Sequence, residues 1–233
     1  MNPIISQDRS IIPACDVSLE VYRKLVKETS DIDAVSAYKI GFELGLLYGL
    51  PEIVAIAREH GNKKIIYDHQ KAGTDIPDTG KSFMKVMKQA GVDAVILFPQ
   101  AGPGTQKAWI KAAQDLDLGV IVGGLMTHPQ YMRSEGGYIA DEAIMEIYLN
   151  AVDEGVTNFV VPGNKVNDLT ALMEELERVV VDPVLYSPGL VTQGGDISDA
   201  GRAAGEKWHA IVGRGIYQAE DMKQAVMDLS KNL

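Results

Sequence analysis

Eight short apolar runs alternate with longer segments of helical period along this chain, and that rhythm narrows the possible folds to a few. The runs cover residues 10–15, 34–40, 63–67, 93–98, 119–123, 157–161, 183–187 and 208–212. They are apolar almost throughout, as strands covered on both faces should be. Between them lie amphipathic stretches at 19–27, 51–60, 79–89, 106–114, 141–151 and 167–178. In the last of these, Leu169, Leu172, Met173 and Leu176 fall on one helical face. Gly61, Gly91 and Gly155 stand where three of the helices should stop. Alternation of this kind builds parallel βαβ units. Eight of them in 233 residues predict a closed (β/α)8 TIM barrel, which explains the number better than an open doubly wound sheet does. No internal repeat or linker divides the chain, so residues 1–233 are expected to form one domain.

Charge and cysteine content restrict the function. The formal net charge is -10, from 32 acidic and 22 basic residues, which argues against a nucleic-acid or membrane-surface protein. An anionic small molecule stays possible in a locally positive pocket. The single cysteine, Cys15, lies in an apolar run and reads as a buried thiol, so neither disulfides nor a cysteine zinc site is expected. The N-terminal residues carry no export signal and no apolar run reaches the roughly 20 residues of a membrane span. The expected location is cytoplasmic.

In a barrel of this kind the active site is built at the C-terminal ends of the strands. The residues at or just past those ends are Asp16, Lys39, Asp68 with Lys71, Pro99-Gln100, Thr127-His128, Pro162-Gly163-Asn164, Gln193-Gly194-Gly195 and Gly213-Arg214. The segment from Asp68 to Asp75 sets a lysine between two carboxylates just beyond an interior strand. Charges there are costly to desolvate unless they pair, so the cluster points to chemistry rather than packing. After the seventh and eighth runs come Pro188-Gly189 through Gly194-Gly195 and Gly213-Arg214-Gly215. Glycine amides and one arginine at those two loops are a frequent phosphate grip in barrels. No Walker loop and no GxGxxG occurs. The four histidines (His60, His69, His128, His209) lack metal-ligand spacing, and His60 and His209 read as structural.

Taken together these motifs resemble the orotidine 5′-monophosphate decarboxylase family over essentially the whole chain. Ala14-Cys15-Asp16-Val17 and Tyr38-Lys39-Ile40-Gly41 are similar to its first- and second-strand motifs. Asp75-Ile76-Pro77-Asp78-Thr79 resembles its segment that crosses into a neighbouring subunit. Met126-Thr127-His128-Pro129 resembles its loop over the pyrimidine, with Thr127 where the family often has serine. Pro188-Gly189, Gln193-Gly194-Gly195-Asp196 and Val212-Gly213-Arg214-Gly215 resemble its phosphate signatures. One spacing departs from the family. Its central Asp-x-Lys-x-x-Asp is here Asp68-x-x-Lys71-x-x-x-Asp75. Residues i and i+3 do not share a strand face, so Asp68 and Lys71 can converge only if the chain leaves β geometry between them. Gly73 would permit that. An alignment anchored on Asp75 would put Gln70 and Ala72 in the key places instead.

The resemblance implies conversion of orotidine 5′-monophosphate (OMP) to UMP and CO2, with no metal or organic cofactor. It implies a catalytic network of Lys39, Asp68, Lys71 and Asp75, with Asp75 supplied by the partner of a homodimer. Asp16 and Lys39 would orient the ribose, Thr79 would reach in from the partner, and Thr127 would bond the pyrimidine edge. Pro162, Gln193, Gly194, Gly213 and Arg214 would complete the substrate site, with Arg214 on the phosphate. Two other functions share these motifs: a metal-dependent aldolase similar to hexulose-phosphate synthase, and a UMP-binding relative without turnover. Gly136-Gly137 and residues 192–199 are candidates for a mobile lid on glycine content.

Overall fold

The computed structural model describes residues 3–69, 75–180 and 182–233. Its strands are β1 (Arg9–Cys15), β2 (Ala37–Ile40), β3 (Lys64–Asp68), β4 (Ala94–Leu97), β5 (Gly119–Gly123), β6 (Asn158–Val160), β7 (Val184–Ser187) and β8 (Trp208–Val212). Each pairs in parallel with the next, and β8 pairs with β1, so the sheet closes into the eight-stranded barrel that the sequence rhythm predicts.

Both faces of these strands are apolar because each is buried against something different. Ile12, Ala14, Ala37, Ile66, Ala94, Ile121, Val160 and Ile211 point inward and form one interior cluster. Their neighbours Ile11, Cys15, Tyr38, Ile65, Val95, Val120, Phe159 and Ala210 point outward and pack under the helices. The period of two is what sets the site. Continuing the inward series by one step places Asp16 after Ala14, Lys39 after Ala37 and Asp68 after Ile66. All three therefore belong to the layer above the apolar interior, at the barrel mouth.

The helices follow ordinary local rules. In the helix Leu19–Thr29 the N-cap is Ser18, whose side chain accepts from the Val21 amide, and not Asp16. The helix Thr79–Gln89 has the bounds the pattern predicts. The helix Val166–Val179 buries the expected Leu169, Leu172, Met173 and Leu176. Gly61, Gly91 and Gly155 all have positive φ, as residues just past a helix end commonly do. Residues 34–36, expected in the second strand, lie outside the β2 ladder, although Val35 makes an isolated bridge to Ile11. Residues 197–199, expected in a loop, form the first turn of the helix Ile197–Ala203, because Asp196 caps it through the Asp199 amide. Among the described residues no helix is long and apolar enough to cross a membrane.

The lower end of the barrel is sealed by side chains. Ile5 joins the interior cluster from below, and a buried polar chain runs from Ser36 Oγ to Ser10 Oγ (2.6 Å) and on to His209 Nδ1 (2.7 Å). The His209 ring also lies 4.8 Å from Tyr186. His209 is structural, as its strand position implied. Burial pushes its imidazole from the ordinary 6.5 down to about 4. Below pH 6.5 the unfolded chain binds a proton at this position that the folded chain refuses, so stability is lost as pH falls from 6.5 toward 4. At about 1.4 kcal/mol per pH unit the loss is about 3 kcal/mol. The stability gap between the native protein and His209→Gln should therefore narrow by about that amount between pH 7 and pH 4 in urea titrations. A gap that stays constant over this range would exclude the effect.

Candidate active site

The mouth of the barrel holds a cavity of about 290 Å³. Its floor is apolar, made by Ala14, Ile96, Val160 and Ile211, with Phe98, Leu125 and Met126 on one wall. Gly123 makes the Phe98 wall possible, since a Cβ there would lie 2.4 Å from the Phe98 ring. Above this floor stand Asp16, Lys39 and Asp68 on one side. Thr127, Gln193, Gly213, Arg214 and Tyr217 close the other sides.

Lys39 is the centre of the charged side. It is 6% exposed, and its Nζ lies 2.9 Å from Asp68 Oδ2 and 3.6 Å from Asp16 Oδ2. Burial by itself would discharge the ammonium, but the Asp68 and Asp16 carboxylates overcome it and hold the lysine charged, with its pKa raised above the ordinary value. The result is an acid–lysine–acid row whose Lys39 and Asp68 members are largely buried, with Asp16 at its solvent-exposed end. Such a row needs no rearrangement to act on a charge developing beside it. β3 ends at Asp68, and His69 already lies outside the strand. Lys71 itself lies outside the described residues, as do Gln70, Ala72 and Gly73.

The opposite side is built from two glycine-bearing loops. After β7 the chain folds back on itself, with the Val191 amide bonded to the Gly195 carbonyl (2.8 Å) and the Gly195 amide to the Gly189 carbonyl (3.2 Å). Gly189 and Gly194 have positive φ, and so does Val191, at 62°. A β-branched residue in that region is strained by roughly 1–3 kcal/mol, a cost found chiefly at functional loops. Arg214 begins a short helix, Arg214–Tyr217, directly after β8. It is exposed on the cavity rim, and among the described residues it makes no ion pair. Asp221, further along, caps the helix Met222–Ser230 by accepting from the Gln224 amide. The Tyr217 phenol is pushed up by burial and then by the nearby Asp16 carboxylate.

The expected residues thus divide into groups. Asp16, Lys39, Asp68, Thr127, Gln193, Gly213 and Arg214 converge on one cavity. Pro162, buried after β6, and Gly194, exposed in the loop after β7, are not among the residues that line it. Asp75 and Thr79 line a different and larger groove of about 700 Å³ on the flank. That flank is firmly anchored. Trp109 Nε1 donates to the Ile76 carbonyl (3.1 Å), Thr105 Oγ1 donates to the Asp75 carbonyl (2.8 Å), and Trp109 packs on Phe83 at 5.0 Å. Gly80 leaves room for the Trp109 ring, which a Cβ would approach to 2.8 Å. Reading for polar residues missed the apolar floor. Its signal was the inward series itself, which passes through Ile96 to Phe98 as it passes through Ala37 to Lys39. Among the described residues no three His, Cys, Asp or Glu side chains are grouped so that they could hold a metal ion.

Residues 10–229 match the model of the orotidine 5'-phosphate decarboxylase / HUMPS family. The chain belongs to that family. Among curated relatives, the orotidine 5'-phosphate decarboxylase of Methanosphaera stadtmanae is 30% identical, over 96% of each chain. That of Thermoplasma volcanium is 29% identical, over 96% of this chain and 93% of its own. Among solved structures, the Methanocaldococcus jannaschii decarboxylase complexed with the inhibitor BMP superposes with a TM-score of 0.81. It is 27% identical and the match covers 97% of this chain and 98% of that one.

Cys15 lies one residue before Asp16 but faces away from the cavity, in the layer under the helices. Burial first, and then the Asp16 carboxylate, push its thiol far above the ordinary range, against a smaller opposing pull from Lys39. The thiol should resist iodoacetamide at pH 8 in the native protein and react fully in guanidinium chloride. Rapid native-state labelling at one equivalent would contradict the packing described.

Proposed function

We propose that this chain decarboxylates OMP to UMP, as the names of its relatives describe for them. The observation that carries the reading is the row Asp16–Lys39–Asp68, held at 3.6 and 2.9 Å, facing Thr127, Gln193 and Arg214 across one cavity. Charge for the reacting end and contacts for a nucleotide are thus gathered in one small space.

In this reading the bond from C6 of the pyrimidine to its carboxylate breaks, leaving an electron pair on C6 and releasing CO2. Lys71 stabilises that pair and supplies the proton that replaces the carboxylate. Asp68 sits against the departing carboxylate and fixes Lys71, while Lys39 fixes Asp68 and, with Asp16, orients the ribose hydroxyls. Preorganised charge in a water-poor corner does the work, and no metal or organic cofactor is called for. Thr127 bonds the pyrimidine edge and Gln193 spans pyrimidine and phosphate. Gly194 and Gly213 bring backbone close to the phosphate, Pro162 shapes the turn behind it, and Arg214 takes its charge. Remote phosphate binding helps to organise the reacting end.

The active unit is a homodimer in this proposal, with Asp75 and Thr79 entering the neighbouring site. Supporting it, Phe42, Leu46, Leu47, Ile76 and Val86 are all about half exposed or more. Leu46, Val86, Asp75 and Thr79 share the flank groove. A cytoplasmic location and a one-domain chain over residues 1–233 belong to the same reading and rest on the family's metabolic role.

The deciding experiment follows OMP absorbance after adding purified protein with EDTA present. Metal-free loss of absorbance is expected. Turnover only with added Mg2+ and an open-chain sugar phosphate would favour the aldolase, and tight UMP binding without turnover would mean a relative lacking the chemistry. Lys71→Ala should lower kcat about a thousandfold or more while UMP still binds. Arg214→Ala should raise KM roughly 10- to 100-fold, the worth of hydrogen bonds to a charged group. For the dimer, Leu46→Glu with Leu47→Glu should yield monomers in light scattering and remove turnover together. Active monomers would place Asp75 outside the catalytic unit.

A further inference from the structure

Between the two sides of the cavity lies the turn after β6, and its bonds reach both. Toward the phosphate side, the Gly163 amide donates to the Pro188 carbonyl at 2.8 Å. Toward the pyrimidine side, Asn164 Nδ2 donates to the Thr127 carbonyl at 3.1 Å. Lys165 Nζ meets Glu135 Oε1 at 2.7 Å, with side-chain exposures of only 16% and 25%. The other Glu135 oxygen accepts from the Tyr131 amide at 3.1 Å, and the Tyr131 hydroxyl is held by Gln100 at 2.8 Å. The whole segment from Thr127 to Glu135 is therefore tied at both ends to two consecutive residues.

Asn164 adds a second observation. Its Oδ1 is buried and, among the described residues, is the one buried side-chain polar atom with no hydrogen-bond partner. It faces the Gly189 backbone so closely that a Cβ at Gly189 would lie 2.8 Å from it and 2.9 Å from the Thr127 methyl. A buried acceptor left unpaired is a standing cost, and such groups in native proteins call for an explanation. Here one amide is wedged between the Thr127 carbonyl and the phosphate-side loop, where side chain, backbone and glycine leave no slack.

We infer that Asn164 and the Lys165–Glu135 pair are positioning residues, which set the Thr127 hydroxyl at a fixed distance from the phosphate-side loop and so select a pyrimidine base. They touch no substrate atom in this arrangement and act through Thr127. The inference rests on the nucleotide reading above.

Calorimetric binding of two ligands tests it, UMP and ribose 5-phosphate, which carries the phosphate but no base. Asn164→Ala and Glu135→Gln should each weaken UMP at least fivefold and change ribose 5-phosphate less than twofold. Combining Asn164→Ala with Thr127→Ala should cost no more UMP affinity than Thr127→Ala alone, because both remove the same contact. The charge swap Glu135→Lys with Lys165→Glu should recover part of the loss seen in Glu135→Gln, since it restores the ion pair while a lysine at 135 cannot accept from the Tyr131 amide. If Asn164→Ala does not fold, Glu135→Gln and the swap carry the test. Equal losses for both ligands, or a full base preference retained in the variants, would overturn the inference alone. A native protein that binds both ligands equally would overturn the nucleotide reading and the inference with it.

Discussion

A lysine ammonium that is almost wholly withdrawn from water must be answered by carboxylates, and the architecture of this mouth follows from that requirement. Lys39 keeps its charge because Asp68 and Asp16 flank it. They can flank it because parallel neighbours in the barrel bring the ends of β1, β2 and β3 side by side, with Ala14 level with Lys39 and Lys39 level with Ile66. Removing Asp68 would leave the buried Lys39 ammonium with only the more exposed Asp16 beside it, which is far more damaging than never having placed charges there. The row is thus a feature that the fold imposes as a unit.

The apolar interior beneath gives the row its strength. Ile12, Ile66, Ile121 and Ile211 exclude water from below, so the charges meet solvent only through the cavity. In that setting a fixed carboxylate or ammonium interacts with a bound ligand more strongly than it would in water. The same packing makes demands elsewhere. Gly123 must stay small so that Phe98 can line the wall, and the loop after β7 must hold Val191 at a positive φ.

Much of this was readable in the sequence, because barrel strands signal twice, by their apolar runs and by the polar residues just past them. Asp16, Asp68, Thr127 and Arg214 could each be picked out as the first polar residue after an apolar run, Lys39 as a charge near the end of one, and Gln193 by its glycine-bearing loop. Other features left no local trace. The helix Phe42–Tyr48 turns Phe42, Leu46 and Leu47 outward, so the usual pattern of one buried apolar stripe is absent. Val35 looks like a strand residue by composition, yet the ladder begins only at Ala37. Asn164 stood at the mouth without a role, since its ties to Thr127 and Gly189 join residues far apart in the chain. The spacing from Asp68 to Lys71 breaks strand periodicity, and where it leads lies outside the described residues.

The sealed lower end has a consequence for traffic. With Ile5 and the Ser36–Ser10–His209 chain stopping the base, the barrel is, among the described residues, a vessel closed below and open at its mouth. Whatever enters the cavity must leave past the side chains that line its mouth. Two fragments parted inside such a vessel would share one way out, and the bulkier would stand in the path of the smaller.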